Sequence, residues 1–223
     1  MTRVVVTGAG RGIGHALATG YLNRGWEVWA GCRSPERAPG LADRGALMRR
    51  LDVTDEETIK TFAAAVASAG EVNLLINAAG IDARTLGAAP GRRGPFEIDP
   101  EHFLGEMRVN AAGPMLVTRA LLPQLTHGGT AKVVNLSSRL ASMTIGAELC
   151  WDIGYNASKA ALNAVTVRTA KLLARPASSS SPSTPAGSAP PWAARKPSSA
   201  PRKQPASSSR PSRRSITSTP ECS

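Results

Sequence analysis

A buried strand that runs straight into a glycine-rich turn and an apolar helix constrains this chain more than any other stretch. Arg3-Val4-Val5-Val6-Thr7 is β-branched and apolar, the pattern of a strand covered on both faces. It leads into Thr7-Gly8-Ala9-Gly10-Arg11-Gly12-Ile13-Gly14 and then into a helical pattern through Ala16, Leu17, Tyr21 and Leu22, stopped by Gly25. Glycines let a backbone approach a phosphate closely, and the unpaired N–H groups and dipole of a helix start attract the anion. The N-terminal stretch is therefore expected to cradle a pyrophosphate.

Charge and composition divide the chain in two. Of its 223 residues, those up to Ala174 carry 19 Lys+Arg against 15 Asp+Glu, whereas the rest carry 8 against 1. Most of the net charge of +11 thus sits in a segment rich in Ser, Pro and Arg, including Ser178 to Ser181, with almost no aliphatic side chains. Such a segment cannot bury a core. The expected organisation is a folded domain over 1–174 and a disordered tail over 175–223. Cys32, Cys150 and Cys222 form neither a C-x-x-C pair nor an even framework, so a reducing, cytoplasmic setting is expected and no metal site. No apolar run reaches bilayer length, and with Arg3 to Val6 reading as a strand no leader is expected. Neither a membrane nor a specific nucleic-acid partner is expected.

Tyr155-Asn156-Ala157-Ser158-Lys159 opens an alanine-rich helical segment. Residues four apart share one helix face, so Tyr155 and Lys159 point into the same space. A nearby ammonium favours a phenolate and lowers the pKa of a tyrosine. Facing a cleft, the pair is a tuned acid and base; facing water, it is an ordinary helix surface.

With these motifs in view, the chain resembles the short-chain dehydrogenase/reductase family. Thr7-Gly8-x-x-x-Gly12-Ile13-Gly14 matches its glycine turn, and Asn77-Ala78-Ala79-Gly80 its Asn-Asn-Ala-Gly, with Ala78 in place of the second Asn. Asn110 matches its helix asparagine, Ser138 after Val133–Leu136 its catalytic serine, and Tyr155-x-x-x-Lys159 its tyrosine and lysine. The resemblance implies a Rossmann-like, doubly wound parallel sheet and reversible hydride transfer between a nicotinamide cofactor and a small carbonyl or alcohol substrate. It implies Tyr155 as general acid, Lys159 as its activator and a ribose ligand, Ser138 on the substrate oxygen and Asn110 in a proton relay. It also implies cofactor contacts from Thr7, Gly8, Gly12, Ile13, Gly14, Val53, Asn77, Ala78, Ala79 and Gly80, with Asp52 on the adenine amino group. A homodimer or tetramer of the intact protein is implied too, built on the helical segment 100–125 and the helix after Tyr155.

Three details refine the expectation. No acidic residue follows the second strand, residues 27–31; Arg33, with Arg11 in the glycine turn, suits a 2′-phosphate, so NADP(H) is favoured over NAD(H). Thr54, with Glu57 three residues on, is expected to cap a helix. Sixteen residues, Arg139 to Gly154, separate Ser138 from Tyr155. This is similar to a carbonyl-reductase-like branch, and displaces Ser138 unless the connection bulges outward. The loop 81–99, with Pro90, Arg92, Arg93 and Pro95, reads as a solvated connector.

The resemblance ends near Ala174, where the family continues with a sixth strand and a Pro-Gly turn. One choice of codons for 177–190, read one base out of frame, yields Gly-Val-Val-Val-Val-Ala-Leu-His-Pro-Gly, a buried strand followed by that turn. This points to a frameshifted C-terminus and a sheet truncated after its fifth strand, with activity expected to be poor for want of the missing strands, and with a natural disordered tail as the alternative. The rival function is a non-catalytic nucleotide-binding remnant whose basic tail binds polyanions.

Overall fold

In the computed structural model, residues 2–126, 130–146 and 152–173 are described. Five strands form one parallel sheet in the order β3-β2-β1-β4-β5: β1 Arg3–Thr7, β2 Glu27–Cys32, β3 Leu47–Arg50, β4 Leu74–Asn77 and β5 Lys132–Asn135. The doubly wound α/β architecture follows from this order, since the chain winds outward from β1 in one direction and then in the other. Among the described residues β5 has no partner on its outer side, and its Val134 is 41% exposed. The expected tail, 175–223, and any sixth strand within it lie outside the described residues.

Alternation along the strands splits the core into two layers. Val4, Val6, Val28, Ala30, Leu74 and Ile76 face one side, packed with Ala18 of α1 (Gly12–Leu22) and Leu41 of the short α2 (Pro39–Ala42). Val5, Trp29 and Leu75 face the other, against Ile59, Phe62 and Val66 of α3 (Glu56–Ala67). α4 (Pro100–Met107), α5 (Gly113–Ala120) and the short α6 (Leu122–Thr126) follow β4, and Val117 and Leu121 complete the second layer. After β5 come a short α7 (Met143–Gly146) and the long α8 (Ile153–Leu173).

Two local expectations are corrected. α3 is capped by Asp55, whose carboxylate accepts from the Glu57 and Thr58 N–H groups. Thr54 is unavailable because its N–H and hydroxyl both donate to Asp52 Oδ1, at 2.9 and 2.7 Å. The apolar segment 100–125 is not one helix either. A π turn over Arg108–Ala112 separates α4 from α5, inserting a widened step that hydropathy does not register. Such turns frequently mark functional sites, and this one carries Asn110.

The register aligns the carboxyl ends that matter. Thr7 lies beside Gly31 and Asn77, and Asn77 beside Asn135. The crevice above β1 and β4 is the point at which the sheet reverses its winding.

Candidate active site

The crevice is a cleft of about 1060 Å³ that runs from Arg33 and Asp52 past the glycine turn to Ser138, Tyr155 and Lys159. Its middle is built on close backbone approach. Gly8 has φ +68°, and a Cβ there would come within 2.7 Å of Ala79 Cα. A Cβ on Gly14 would collide with the Gly8 carbonyl. Thr7, buried beneath the turn, accepts from the N–H groups of Ala78 and Ala79, both at 3.1 Å, so it locks the glycine turn to the end of β4. α1 begins after Arg11 with no side-chain cap. Its first N–H groups therefore lack an internal acceptor, at Gly12, Ile13 and Gly14, which line the cleft. Ile13 is 68% exposed there, an apolar surface beside an anion cradle.

At one end stand the exposed side chains of Arg11 and Arg33 with Arg37. Asp52 lines this end with Oδ1 held by Thr54, and Val53 lies under it, buried. Gly80 and Ala79 continue the wall. Asn77 does not reach the cleft surface: it is buried, and its amide donates to Asn135 Oδ1 at 2.8 Å and Thr118 Oγ1 at 3.3 Å. It joins β4 to β5 and α5 from behind.

At the other end Tyr155 and Lys159 sit one turn apart on α8, as their spacing predicts. Lys159 is only 5% exposed, its Nζ donates to the Leu136 carbonyl at 2.7 Å, and it lies 5.7 Å from the centre of the Tyr155 ring. Burial lowers its pKa to about 8, since an apolar setting disfavours the ammonium. Ser138 follows β5, and its hydroxyl accepts from the Leu140 N–H at 3.2 Å. It shares the cleft with Tyr155, so the long connection does not carry Ser138 out of the site.

Asn110, on the π turn, is fully buried. It donates to the Ile81 carbonyl and Ser158 Oγ, at 2.8 and 2.9 Å, and accepts from the Ile81 N–H at 2.8 Å. The missing side chain of Gly80 explains its place here: a Cβ there would lie 3.3 Å from Asn110 Oδ1 and 3.5 Å from Lys159 Nζ. Glycine thus leaves space between an acceptor and the ammonium.

Several cleft residues gave no signal in the sequence. The loop 81–99 is not a bystander, since Asp82, Arg84, Thr85, Leu86 and Arg93 line the cleft. Its 3₁₀ turn, Ala83–Leu86, is capped by Asp82, and the Asp-x-x-Thr spacing is the one local hint that this segment is ordered. Asp152 is a second omission: its carboxylate caps α8 by accepting from the Tyr155 N–H at 3.2 Å. Among the described residues no three His, Cys, Asp or Glu side chains gather as a metal would need, and no helix is long and apolar enough to cross a membrane.

The sequence profile of the short chain dehydrogenase family matches residues 2–177. An uncharacterized oxidoreductase of Bacillus subtilis is 35% identical over 144 residues, 60% of this chain and 48% of that protein. The NADPH-dependent 1-acyldihydroxyacetone phosphate reductase of Schizosaccharomyces pombe is 33% identical over 163 residues, 71% of this chain and 50% of that protein. The chain spans about half the length of the curated relatives it matches. Among solved structures, an NADPH-bound carbonyl reductase from chicken fatty liver superposes with a TM-score of 0.68 at 28% identity, covering 77% of this chain and 73% of that one.

Proposed function

The chain belongs to the short-chain dehydrogenase family, and on that premise we propose that it reduces a carbonyl compound, or oxidises the corresponding alcohol, with NADP(H). The observation that carries the reading is the Tyr155–Lys159 pair at the end of a cleft whose other half is a glycine cradle. The cradle fits a dinucleotide: Gly12 lines the cleft at φ +59° with open space where a side chain would stand, and the uncapped start of α1 offers N–H groups to a pyrophosphate. Gly8, Gly12, Ile13 and Gly14 would hold the phosphates, Asp52 and Val53 the adenine, and Ala78, Ala79 and Gly80 the middle of the cofactor. Bound there, it supplies the hydride.

The protein handles the proton. Tyr155 donates its phenolic proton to the substrate oxygen as that oxygen gains negative charge. The Lys159 ammonium favours the phenolate left behind, and its burial keeps the attraction from being screened by water. Ser138 donates a hydrogen bond to the substrate oxygen and holds it over the phenol. Across the space at Gly80, the Lys159 ammonium gives a proton to the phenolate and regains one from water, and Asn110 Oδ1 accepts a hydrogen bond that holds that water. Turned to the opposite reaction, the same groups remove a proton from the alcohol. Association of copies through α4, α5 and α8 is part of the same proposal, and leaves Leu104 and Met115, now 43% and 44% exposed, a surface to bury.

The cofactor choice rests on Arg33 and Arg11, exposed cations where an NAD site would carry a carboxylate. NADPH is expected to bind at least about tenfold more tightly than NADH, and Arg33→Ala to remove most of that gap, since a charge-assisted contact contributes ~1.5–3 kcal/mol. Fluorescence titration with both cofactors measures it. Equal affinities in the unaltered chain, or a preference that survives Arg33→Ala, would refute the choice. The reaction itself is tested by NADPH consumption with a panel of aldehydes and ketones.

A further inference from the structure

Glu106, near the end of α4, is fully buried, and neither carboxyl oxygen has a hydrogen-bond partner of normal geometry, the nearby Ala83 N–H being aimed at Asp152. Beside it lies Asp152, 3% exposed, within hydrogen-bonding reach. Asp152 is well supplied: Oδ2 accepts from the Ala83 N–H at 2.8 Å and Oδ1 from the Tyr155 N–H at 3.2 Å. The closeness is built in, since any side chain at Gly154 would collide with the Glu106 carboxyl.

We propose that Glu106 is a positioning residue: as a neutral carboxylic acid it donates its O–H to the Asp152 carboxylate, and so fixes the capped start of α8 that carries Tyr155. Two carboxylates this close in a dry setting do not both ionise. The proton falls to Glu106 because Asp152 has two well-placed N–H donors and the dipole of a helix start to stabilise a charge, whereas the Ala83 N–H is the weakest of the influences on Glu106. Asp152 then ties α4, the turn at Ala83 and the first turn of α8 into one unit. The importance of that unit for turnover rests on the reading of Tyr155 as the proton donor.

The surroundings support the assignment. Burial first, then Asp152 and the more distant Asp82, raise the Glu106 pKa to about 8 against a smaller lowering by the Ala83 N–H. From the turn at 83–86 the cation Arg84 is committed to Asp82, at 2.6 Å. On α8, the Lys159 ammonium is committed to the Leu136 carbonyl, and Tyr155 faces the cleft. His102, Glu101 and Arg108 complete the ionisable groups on and just after α4, and none of them appears among the causes of the Glu106 shift. The folded protein therefore holds a proton on Glu106 that an unfolded chain releases near 4.5. Stability falls as pH rises between those two values, and the Asp152 cap weakens as the pH passes about 8.

Glu106→Gln keeps a donor to Asp152 that does not ionise. In the full-length protein, the side-chain carboxyl ¹³C resonance of Glu106 is expected to titrate near pH 8, not in the usual carboxylate range. The backbone ¹⁵N resonance of Tyr155 is expected to follow it, and to lose that step in Glu106→Gln. A carboxylate-range titration of Glu106, or an identical Tyr155 titration in both proteins, overturns the proposal. Turnover supplies a separate reading. With Glu106 and Lys159 both losing a proton near pH 8, the alkaline fall of kcat/KM should be steeper in the unaltered enzyme than in Glu106→Gln. Glu106→Leu, which offers no donor, should lower kcat about tenfold or more with little change in KM for NADPH. Equal alkaline limbs in the two proteins reject the link to catalysis. If no carbonyl compound is turned over at all, the proposed reaction fails while the two resonances still decide the Glu106–Asp152 pair.

Discussion

Tyr155→Phe is expected to lower carbonyl reduction about a hundred- to ten-thousandfold, the usual worth of a positioned general acid, or ~3–6 kcal/mol of barrier. Only the hydroxyl is removed. The ring keeps its place on α8, and the Lys159 Nζ, held by the Leu136 carbonyl at 2.7 Å and not by the phenol, stays where it is. The glycine turn is untouched as well, because its lock is Thr7 on Ala78 and Ala79. NADPH affinity should therefore change by less than about threefold, below ~0.7 kcal/mol. Steady-state kinetics set beside a fluorescence titration of NADPH separate the two quantities. Activity within about tenfold of the unaltered protein would show that another group delivers the proton.

Lys159→Met should have the second largest effect, of a different kind. It removes the charge that favours the phenolate and leaves the Leu136 carbonyl without its donor. Turnover should fall about a hundredfold or more, and NADPH binding should weaken too, unlike in Tyr155→Phe. Stability should behave in the opposite sense to activity. Burial depresses the Lys159 pKa from 10.5 to about 8, so between those values an unfolded chain binds the proton that the folded one has released. Stability contributed by this group therefore rises with pH across that window, and the cost of burying the ammonium is present in full below it. Methionine has no such cost. The thermal midpoint of Lys159→Met should lack the rise between about pH 8 and about pH 10 that the unaltered protein shows. A parallel pH course in both proteins would mean that Lys159 titrates as an exposed lysine.

What could be read from the residues was whatever the chain encodes locally. The β-branched run before Gly8 specifies a buried strand, and the turn through Gly14 leaves helix α1 no other place to begin. The four-residue spacing of Tyr155 and Lys159 survives into the structure because a single helix carries both. Features that depend on distant partners were not legible. The hydropathy of 100–125 runs on through the π turn, whose geometry is shaped by Asn110 reaching to Ile81 and Ser158. Thr54 has a capping residue's chemistry, but Asp52 captures it first. The polar loop 81–99 looks like a solvated connector, yet Asp152 holds its Ala83 N–H. Glu106 reads as one more charged residue on an amphipathic helix until Gly154 is seen to leave room for its carboxyl. The length of the connection before Tyr155 left two places for Ser138, displaced or kept in by an outward bulge, and the 3₁₀ turn Arg139–Ala141, which starts with Ser138 as its cap, goes with a Ser138 that lines the cleft.

In the proposed reaction this cleft transfers a hydride between a nicotinamide cofactor and a carbonyl carbon, with Tyr155 supplying the proton. Mass spectrometry of the alcohol formed from an aldehyde or ketone in the presence of NADPH carrying deuterium on the transferring face of its nicotinamide C4 tests it most directly. One deuterium is expected on the new carbinol carbon, none when the opposite face is labelled, and almost no alcohol from Tyr155→Phe. Alcohol without deuterium from either labelled cofactor, or equal yields from the unaltered protein and Tyr155→Phe, would contradict it.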